Sequence, residues 1–236
     1  MIKKTNPFVL LIALCISVQL FAQKTSEDYL GSWYTLGINH RFTEKISVTT
    51  YAELRFYEPI SNYNLIFTSL SGNYHLKQNQ TLSIAYAYLD IDSVFDEDNR
   101  PNTTENRIYE QYNYKHKLGA FNVQHRFRLE QRFLQLANKN EMQNRLRYRF
   151  SLKYNIHKTL FLAIKEEPFI NFQDQAFHEN RFFIGAGFHL FKNTQLQIDY
   201  LKHHIRKKNF NRIQIGISIL IDYRKSKSQV NEQKLH

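Results

Sequence analysis

The stretch that decides the fold is FNVQHRFRLEQRF, residues 121–133. Apolar side chains stand at alternate positions through most of it, at Phe121, Val123, Phe127, Leu129 and Phe133. The positions between them are polar or charged: Asn122, Gln124, Arg126, Arg128, Glu130 and Arg132. Successive side chains of a β-strand point to opposite faces, so this period of two predicts a strand with one apolar and one charged wall.

The same alternation recurs along most of the chain. It is strong over residues 46–57, 145–154, 181–190 and 212–222, and weaker over residues 34–42, 66–76, 82–90, 107–118, 160–167 and 196–205. With the first stretch these make eleven segments. Because single-chain bacterial barrels have even strand numbers, we predict twelve strands, within a range of ten to twelve. The twelfth is expected near residues 24–30, where the pattern is poor.

Segment and connection lengths indicate a barrel that crosses a membrane. Each segment has about ten residues or more, as a tilted membrane strand requires, whereas soluble strands average about half that. Short connections such as 119–120 alternate with longer ones such as 92–105, 135–142 and 206–209, as periplasmic turns alternate with external loops. We therefore predict an all-β, antiparallel up-and-down transmembrane barrel over residues 23–223, followed by a short basic periplasmic tail, residues 224–236.

The N-terminus has the pattern of a secretory signal peptide. Lys3 and Lys4 precede an apolar core at residues 8–20, and Ala22 is a small residue suited to a cleavage site. We expect cleavage after residue 22, export, and insertion into the outer membrane of a Gram-negative cell. The barrel-assembly machinery is then the expected partner during biogenesis. The alternative is an uncleaved N-terminal anchor helix.

Composition restricts the available chemistry. Cys15 is the only cysteine and lies in the signal core, so the mature chain is expected to have neither a disulfide nor thiol chemistry. The formal net charge of +11 falls by two, to +9, when Lys3 and Lys4 are removed. Nucleic acid is not the expected partner, because the export signal and the lack of a recognition helix argue against it. We expect no cofactor and no metal.

Several of these strand patterns resemble a known family. They are HRFRLEQRF (residues 125–133), NRLRYR (residues 144–149), Trp33, ELR (residues 53–55) and NRF (residues 180–182). Together they are similar to the DUF2490 family, an uncharacterised family of predicted outer-membrane β-barrels. The resemblance covers nearly all of the mature chain. It implies a barrel and implies no activity.

Charges on the inner wall are the main candidate feature. The predicted lumen network consists of Glu53, Arg55, Arg107, Arg126, Arg128, Glu130, Arg132, Arg145, Arg147, Arg149, Glu167 and Arg181. A hairpin centred within residues 135–142 predicts three facing pairs, Arg128 with Arg149, Glu130 with Arg147, and Arg132 with Arg145. The turn at residues 119–120 predicts Arg107 beside Arg132 and Tyr109 beside Glu130.

This network has two interpretations. A basic lumen would favour anions, as rings of arginine do in anion pores. Alternatively, the charges form salt bridges that stiffen and fill a narrow barrel, since buried charges must be paired and hydrogen-bonded. We favour the structural interpretation. The predicted function is thus an integral outer-membrane barrel, structural or a narrow passive conduit, with a basic, salt-bridged lumen.

A second candidate site is a basic cluster near the C-terminal end of the barrel. It consists of Lys202, His203, His204, Arg206, Lys207 and Lys208. At an external loop these groups are expected to bind phosphates of outer-membrane lipids, including those of lipopolysaccharide, through charge-assisted hydrogen bonds. The alternative is a solvated loop. A metal site at the paired histidines is not favoured, because no third ligand converges on them.

Other motifs carry weaker hypotheses. The acidic residues within 90–98 lack the glycine of a tight calcium loop, and the Gly185-Ala186-Gly187 run lies in a strand, where close packing explains it better than nucleotide binding. The runner-up function is an outer-membrane lipid-modifying hydrolase using His125 or the His203-His204 pair. It lacks a Gly-x-Ser-x-Gly motif and an acid placed to orient a histidine.

Overall fold

The computed structural model describes residues 25–95, 100–173 and 175–224. The predicted signal peptide, residues 1–22, and the tail beyond Arg224 lie outside the described residues, as do three of the acidic residues, Asp96, Glu97 and Asp98. None of the described residues forms a helix long and apolar enough to cross a membrane.

Eleven β-strands make up the described part of the chain. They are β1 (Leu30–Arg41), β2 (Ile46–Phe56), β3 (Tyr63–Lys77), β4 (Gln80–Ile91), β5 (Thr103–Leu118), β6 (Phe121–Leu136), β7 (Lys139–Asn155), β8 (Leu160–Asn171), β9 (Phe177–Phe191), β10 (Thr194–Ile205) and β11 (Lys208–Asp222). Each pairs with its neighbours in sequence, and β1 pairs with β11, so the sheet closes into a barrel. The all-β barrel prediction is confirmed.

The barrel closes with eleven strands and not with the predicted twelve, at a seam between β1 and β11. With eleven strands the first and last run in the same direction, so β1 and β11 pair in parallel, in one unbroken register from Leu30 opposite Asn211 to Arg41 opposite Asp222. Residues 25–29, where a twelfth strand was expected, form a turn. The even-number argument fails here because a parallel pair can also saturate the backbone hydrogen bonds of two edge strands.

The two ends of the barrel differ in their connections. At the upper end, where β1 begins, the β2–β3 and β4–β5 connections are long, residues 57–62 and 92–102. The connections at residues 137–138 and 206–207, predicted as long loops, are two-residue turns. At these two connections the strands extend past the residues where the apolar–polar alternation weakens, so the loops are shorter than predicted. At the lower end, every connection has two to four residues.

Side chains divide by sequence parity into an outer and an inner face. Large apolar residues dominate the outer face, where Leu70 is 56% exposed and Ile84 61% exposed. Charged residues such as Glu130, Arg145 and Arg147 point inward and are buried. The barrel therefore has the reverse polarity of a water-soluble domain, with an apolar exterior and a charged core.

Close strand packing on the inner face predicts a strong effect of Gly185→Ala. A Cβ at Gly185 would collide with the Ile198 carbonyl and with Asp199 of the adjacent strand, and backbone cannot move aside cheaply. We expect a loss of about 1–3 kcal/mol in the free energy of unfolding. Gly72→Ala is the matched control, because a Cβ there meets nothing within 4 Å. Equal urea midpoints for the two variants would contradict this packing.

Candidate functional site: the charged lumen

The barrel encloses a central cavity of about 590 Å³. It extends from residues of the upper end, including Ser26, Ser93 and Lys208, down to Thr49 and Asn73 on the inner faces of β2 and β3. Strands β5 to β9 line one side mainly with arginines. The period of two places these side chains inward, because each strand must keep its apolar positions on the outer face.

Glu130 is the centre of the ion-pair network. Its carboxylate is fully buried and lies 2.7 Å from Arg145, 2.8 Å from Arg147 and 3.4 Å from Arg107. Arg128 approaches it more loosely, at 3.6 Å. Four guanidinium groups from three strands thus share one carboxylate, which links β5, β6 and β7 through side chains as well as backbone.

Each of the three closest arginines also reaches a second carboxylate. Arg107 contacts Glu105 at 2.7 Å, and Glu105 in turn binds Arg132 at 2.8 Å. Arg147 lies 3.0 Å from Glu167, which also pairs with Arg126. The network is therefore continuous across neighbouring strands rather than a set of isolated pairs.

Arg145 extends the network to β9 and β10. It lies 3.2 Å from Glu179, which binds Arg181 at 2.5 Å and the Nε2 of His203 at 2.8 Å. Glu53 pairs with Arg55 and accepts a hydrogen bond of 2.7 Å from the Tyr51 hydroxyl. All twelve residues of the predicted network therefore lie on the inner face.

The observed pairing of residues between β6 and β7 differs from the predicted register. Arg128 lies opposite Arg147, Glu130 opposite Arg145, and Arg132 opposite Gln143. The predicted facing pairs were displaced by two residues, because the hairpin is centred on the two-residue turn at 137–138 and not further along the chain. The β5–β6 prediction is correct, with Arg107 opposite Arg132 and Tyr109 opposite Glu130.

Six charged or titratable residues of the inner face were not part of the predicted lumen network. They are Glu105, Lys165, Glu179, Asp199, His203 and Arg212, all on the inner face. Lys165 and Asp199 form an ion pair of 2.7 Å. The signal that could have found them is parity, since Glu105 precedes Arg107 by two positions and Glu179 precedes Arg181 by two.

The lumen has more positive than negative charge. The cations around the cavity are Arg55, Arg107, Arg126, Arg128, Arg132, Arg145, Arg147, Arg149, Lys165, Arg181, Lys208 and Arg212, and the carboxylates are Glu53, Glu105, Glu130, Glu167, Glu179 and Asp199. These twelve cations outnumber the six anions. Within the part of the chain that the structure describes, Arg149 and Arg212 form no ion pair with a carboxylate, and the buried Nε atoms of both have no hydrogen-bond partner.

Next to the arginine-lined strands lies an inner apolar wall on β3, β4 and β5. It consists of Leu65, Phe67, Ala85, Ala87, Leu89 and Tyr109, with Tyr51 and Ile91 packed against it. A second small cluster joins Trp33, Phe183 and Leu201. Arg55 lies 3.8 Å over the Trp33 ring, and Arg128 4.0 Å over the Tyr109 ring, so cation–π contacts join the two sides.

Loop aromatics pack around Tyr57, a lining residue at the upper end of the cavity. Phe95 contacts the rings of Tyr29 and Tyr57, at centroid distances of 4.9 and 5.7 Å. The Tyr57 hydroxyl donates to the backbone carbonyl of Asp92 at 3.0 Å. Burial raises the pKa of this hydroxyl, so it remains a neutral donor at physiological pH. These contacts join the upper loops to the N-terminal segment beside the opening.

Neutral polar groups fill the lower part of the β2–β4 wall. Ser47 contacts His75 Nε2 at 2.9 Å and accepts hydrogen bonds from Asn39 and Asn73, each 3.2 Å long. The other ring nitrogen of His75 contacts Thr81 at 3.0 Å. This serine–histidine pair has a hydroxyl where a catalytic triad has a carboxylate, so its geometry is that of a structural network.

The predicted basic cluster is divided by the strand geometry. Lys202 and His204 lie on the outer face of β10, hydrogen-bonded to Asn211 and Asn209 at 3.1 and 2.9 Å. Arg206 and Lys207 form the upper turn. His203 is buried inside the barrel against Glu179, and Lys208 lines the cavity. His203 and Lys208 therefore do not belong to an outer phosphate-binding surface.

The histidines proposed for hydrolysis do not meet. His125 lies on the outer face and contacts the Tyr148 hydroxyl at 2.8 Å, whereas His203 and His204 point to opposite faces of β10. Over the described ranges, no group of three or more histidine, aspartate or glutamate residues is placed to hold a metal ion. The best-developed site is thus the charged lumen.

Comparison with known proteins supports the family assignment. A family model described as a protein of unknown function (DUF2490) matches residues 30–214, which span β1 to the middle of β11. No curated protein matches the chain. The resemblance noted from the strand motifs is confirmed.

Proposed function

This chain belongs to the DUF2490 family of proteins of unknown function, and we propose that it is an integral outer-membrane β-barrel whose wall is cross-linked by its luminal ion pairs. One observation carries the proposal: the apolar exterior around a charged interior. Exposing so many apolar side chains to water would be strongly unfavourable. Facing lipid, the same exterior is stabilising, as in outer-membrane barrels.

Strand dimensions support the membrane assignment. The strands have 11 to 17 residues, and a tilted strand crosses the bilayer core with about 9–11. Outward Leu36, Ile198 and Ile217 belong to adjoining strands at the seam and are 38–42% exposed. The apolar band therefore continues across the β1–β11 seam, as a lipid-facing surface must.

The state of the carboxylates favours a structural lumen over an open anion conduit. Glu105, Glu130 and Asp199 have no exposed surface, so their solvation comes from arginine and lysine rather than from water. A water-filled path would leave such groups hydrated. The ion-pair network is therefore expected to block rapid flow of ions through the lumen.

The outer surface of the upper end is proposed to meet lipid headgroups. Lys202 and His204 on β10 and the turn residues Arg206 and Lys207 provide basic groups at one level. If the long loops face outward from the cell, these groups contact phosphates of the outer leaflet, including those of lipopolysaccharide. His203 is excluded from this surface by its burial.

The location can be tested with the full chain expressed in a Gram-negative host. We expect mature protein to begin at Gln23, to fractionate with outer membranes, to resist carbonate extraction and to show near-zero conductance in planar bilayers. Recovery as a soluble periplasmic protein would refute the membrane assignment. Stable ohmic conductance with anion preference would show that the lumen is an anion pore and not a closed structural core.

A further inference from the structure

The central cavity has the size of a ligand site. Its volume of about 590 Å³ falls in the range of about 300–1,000 Å³ typical of pockets for small organic molecules. A barrel with a purely structural role needs no such cavity, because inward side chains can fill the interior of a narrow barrel. The chemistry of the two adjoining walls, one rich in arginine and one apolar, defines what would fit.

The arginine side of the cavity has fewer carboxylates than cations. Arg212 is 3% exposed and Arg126 7% exposed, and in each the Nε is buried without a hydrogen-bond acceptor. Arg149 lines the same space, and its Nε is likewise unpartnered. Leaving buried guanidinium donors unsatisfied is costly, so an anionic group bound among them would be stabilised by charge and by hydrogen bonds.

The adjoining part of the cavity wall offers an apolar track. On β3, Leu65 and Phe67 face inward although the outer face is also apolar, at Ile66. Leu89 and Ile91 of β4 continue this surface to the upper end of the strand, where the cavity opens. The interior of a membrane barrel is ordinarily polar, so contact with lipid does not account for these inward side chains.

We infer that the cavity binds a single-chain amphiphile with an anionic carboxylate or phosphate head. The head lies between Arg149, which has no carboxylate partner, and Arg126, which shares Glu167 with Arg147, and the chain follows the apolar wall toward the upper end. This rests on the proposed function, since it names the ligand class of the luminal site. Neither wall alone requires such a ligand, but a cationic cluster with too few carboxylates beside an apolar track is complementary to one.

Trp33 provides a direct reporter. It is the only tryptophan of the chain, is 2% exposed, lines the cavity and packs against Phe183 and Leu201. The full protein is placed in vesicles of zwitterionic lipid, without detergent, and titrated with chain-brominated dodecanoate. Bromine in the cavity should quench Trp33 fluorescence saturably, and unlabelled dodecanoate or dodecyl phosphate should reverse the quenching. The stronger competitor identifies the head group.

Two comparisons test the two walls separately. Brominated dodecanol should quench at least tenfold less effectively, because it lacks the charge. Inorganic phosphate should compete at least tenfold less effectively than dodecyl phosphate, because it lacks the chain. Arg149→Gln should weaken dodecanoate binding at least tenfold without leaving a carboxylate unpaired. Lys45→Gln, in the exposed lower turn, is the matched control and should bind as the parent does.

The outcomes separate this inference from the proposed function. Carbonate extraction of the same vesicles reports whether the barrel is inserted. An inserted protein with no saturable quenching, equal quenching by the alcohol, or equal competition by inorganic phosphate would overturn the amphiphile site and leave the membrane assignment intact. A protein that is extracted would refute the membrane assignment itself.

Discussion

Replacing Glu130 by glutamine is expected to destabilise the barrel by about 3–5 kcal/mol, the usual cost of breaking a buried ion pair from one side. The variant keeps the shape of the side chain and removes the charge that Arg107, Arg145 and Arg147 share. Each arginine retains one other carboxylate, but the three buried cations then repel one another without the anion between them. The heat-modifiable gel shift and urea unfolding in lipid vesicles measure the loss.

Glu141→Gln is the matched control for that prediction. Glu141 is also on β7 and pairs with Lys139 at 3.2 Å, but both side chains are partly or largely exposed. Solvent-exposed pairs contribute about 0–1 kcal/mol, so this variant should unfold close to the parent. Both variants remove one negative charge, so a difference in their stability reports the effect of burial and not of net charge.

The opposite result would favour an ion path. If water already solvates the network, Glu130→Gln should unfold as the parent does and should raise anion preference in planar bilayers, while Arg147→Glu should reverse it. A stable Glu130→Gln protein with altered selectivity would therefore reject the structural lumen. Near-zero conductance in both variants, with a large loss of stability, agrees with it.

The sequence predicts the strands well because their chemistry is local. Parity alone assigned Leu129, Phe150 and Ile217 to the outer face, and Arg128, Arg149 and Ser218 to the inner face, as in the structure. A strand needs no information from elsewhere in the chain to place successive side chains on opposite faces. The eleven recognised segments therefore correspond to the eleven strands.

Closure and register depend on pairs of distant segments and were harder to predict. Whether β1 meets β11 directly is a property of barrel closure, and no local pattern near residues 24–30 reveals it. The displaced pairing of Glu130 arose from assuming a long loop at residues 135–142. A two-residue turn shifts every facing pair by the same amount.

The luminal site was predicted in part, because parity identifies an inner wall but not its contacts. His203 was assigned to an external basic cluster by its neighbours in sequence, whereas the strand turns it inward to Glu179. The apolar track was missed for a related reason. Leu65, Ile66 and Phe67 are consecutive apolar residues, so alternation does not tell which of them face inward, and only the structure places Leu65 and Phe67 on the inner face.

Placing arginine on the outer face is the prediction that tests the membrane directly. Ile217 lies at the β1–β11 seam between Leu36 and Leu196, all pointing outward. Ile217→Arg should cost about 2–4 kcal/mol in a bilayer, because a charge at mid-membrane depth loses its hydration. Ser218→Arg, one position along and facing the lumen, is the matched control and should cost much less, since arginine there meets polar surroundings.

In a water-soluble barrel the difference between the two variants would disappear. Surface substitutions in water usually change stability by no more than about 0.5 kcal/mol, so Ile217→Arg would be nearly neutral there, and Ser218→Arg would cost as little as it does in the membrane because its surroundings are unchanged. Urea unfolding of both variants in lipid vesicles distinguishes the two cases. Spin labels at the same positions give an independent check, because lipid-soluble oxygen should relax a label at 217 more strongly than one at 218. Stronger relaxation at 218 would mean that the inner and outer faces are exchanged.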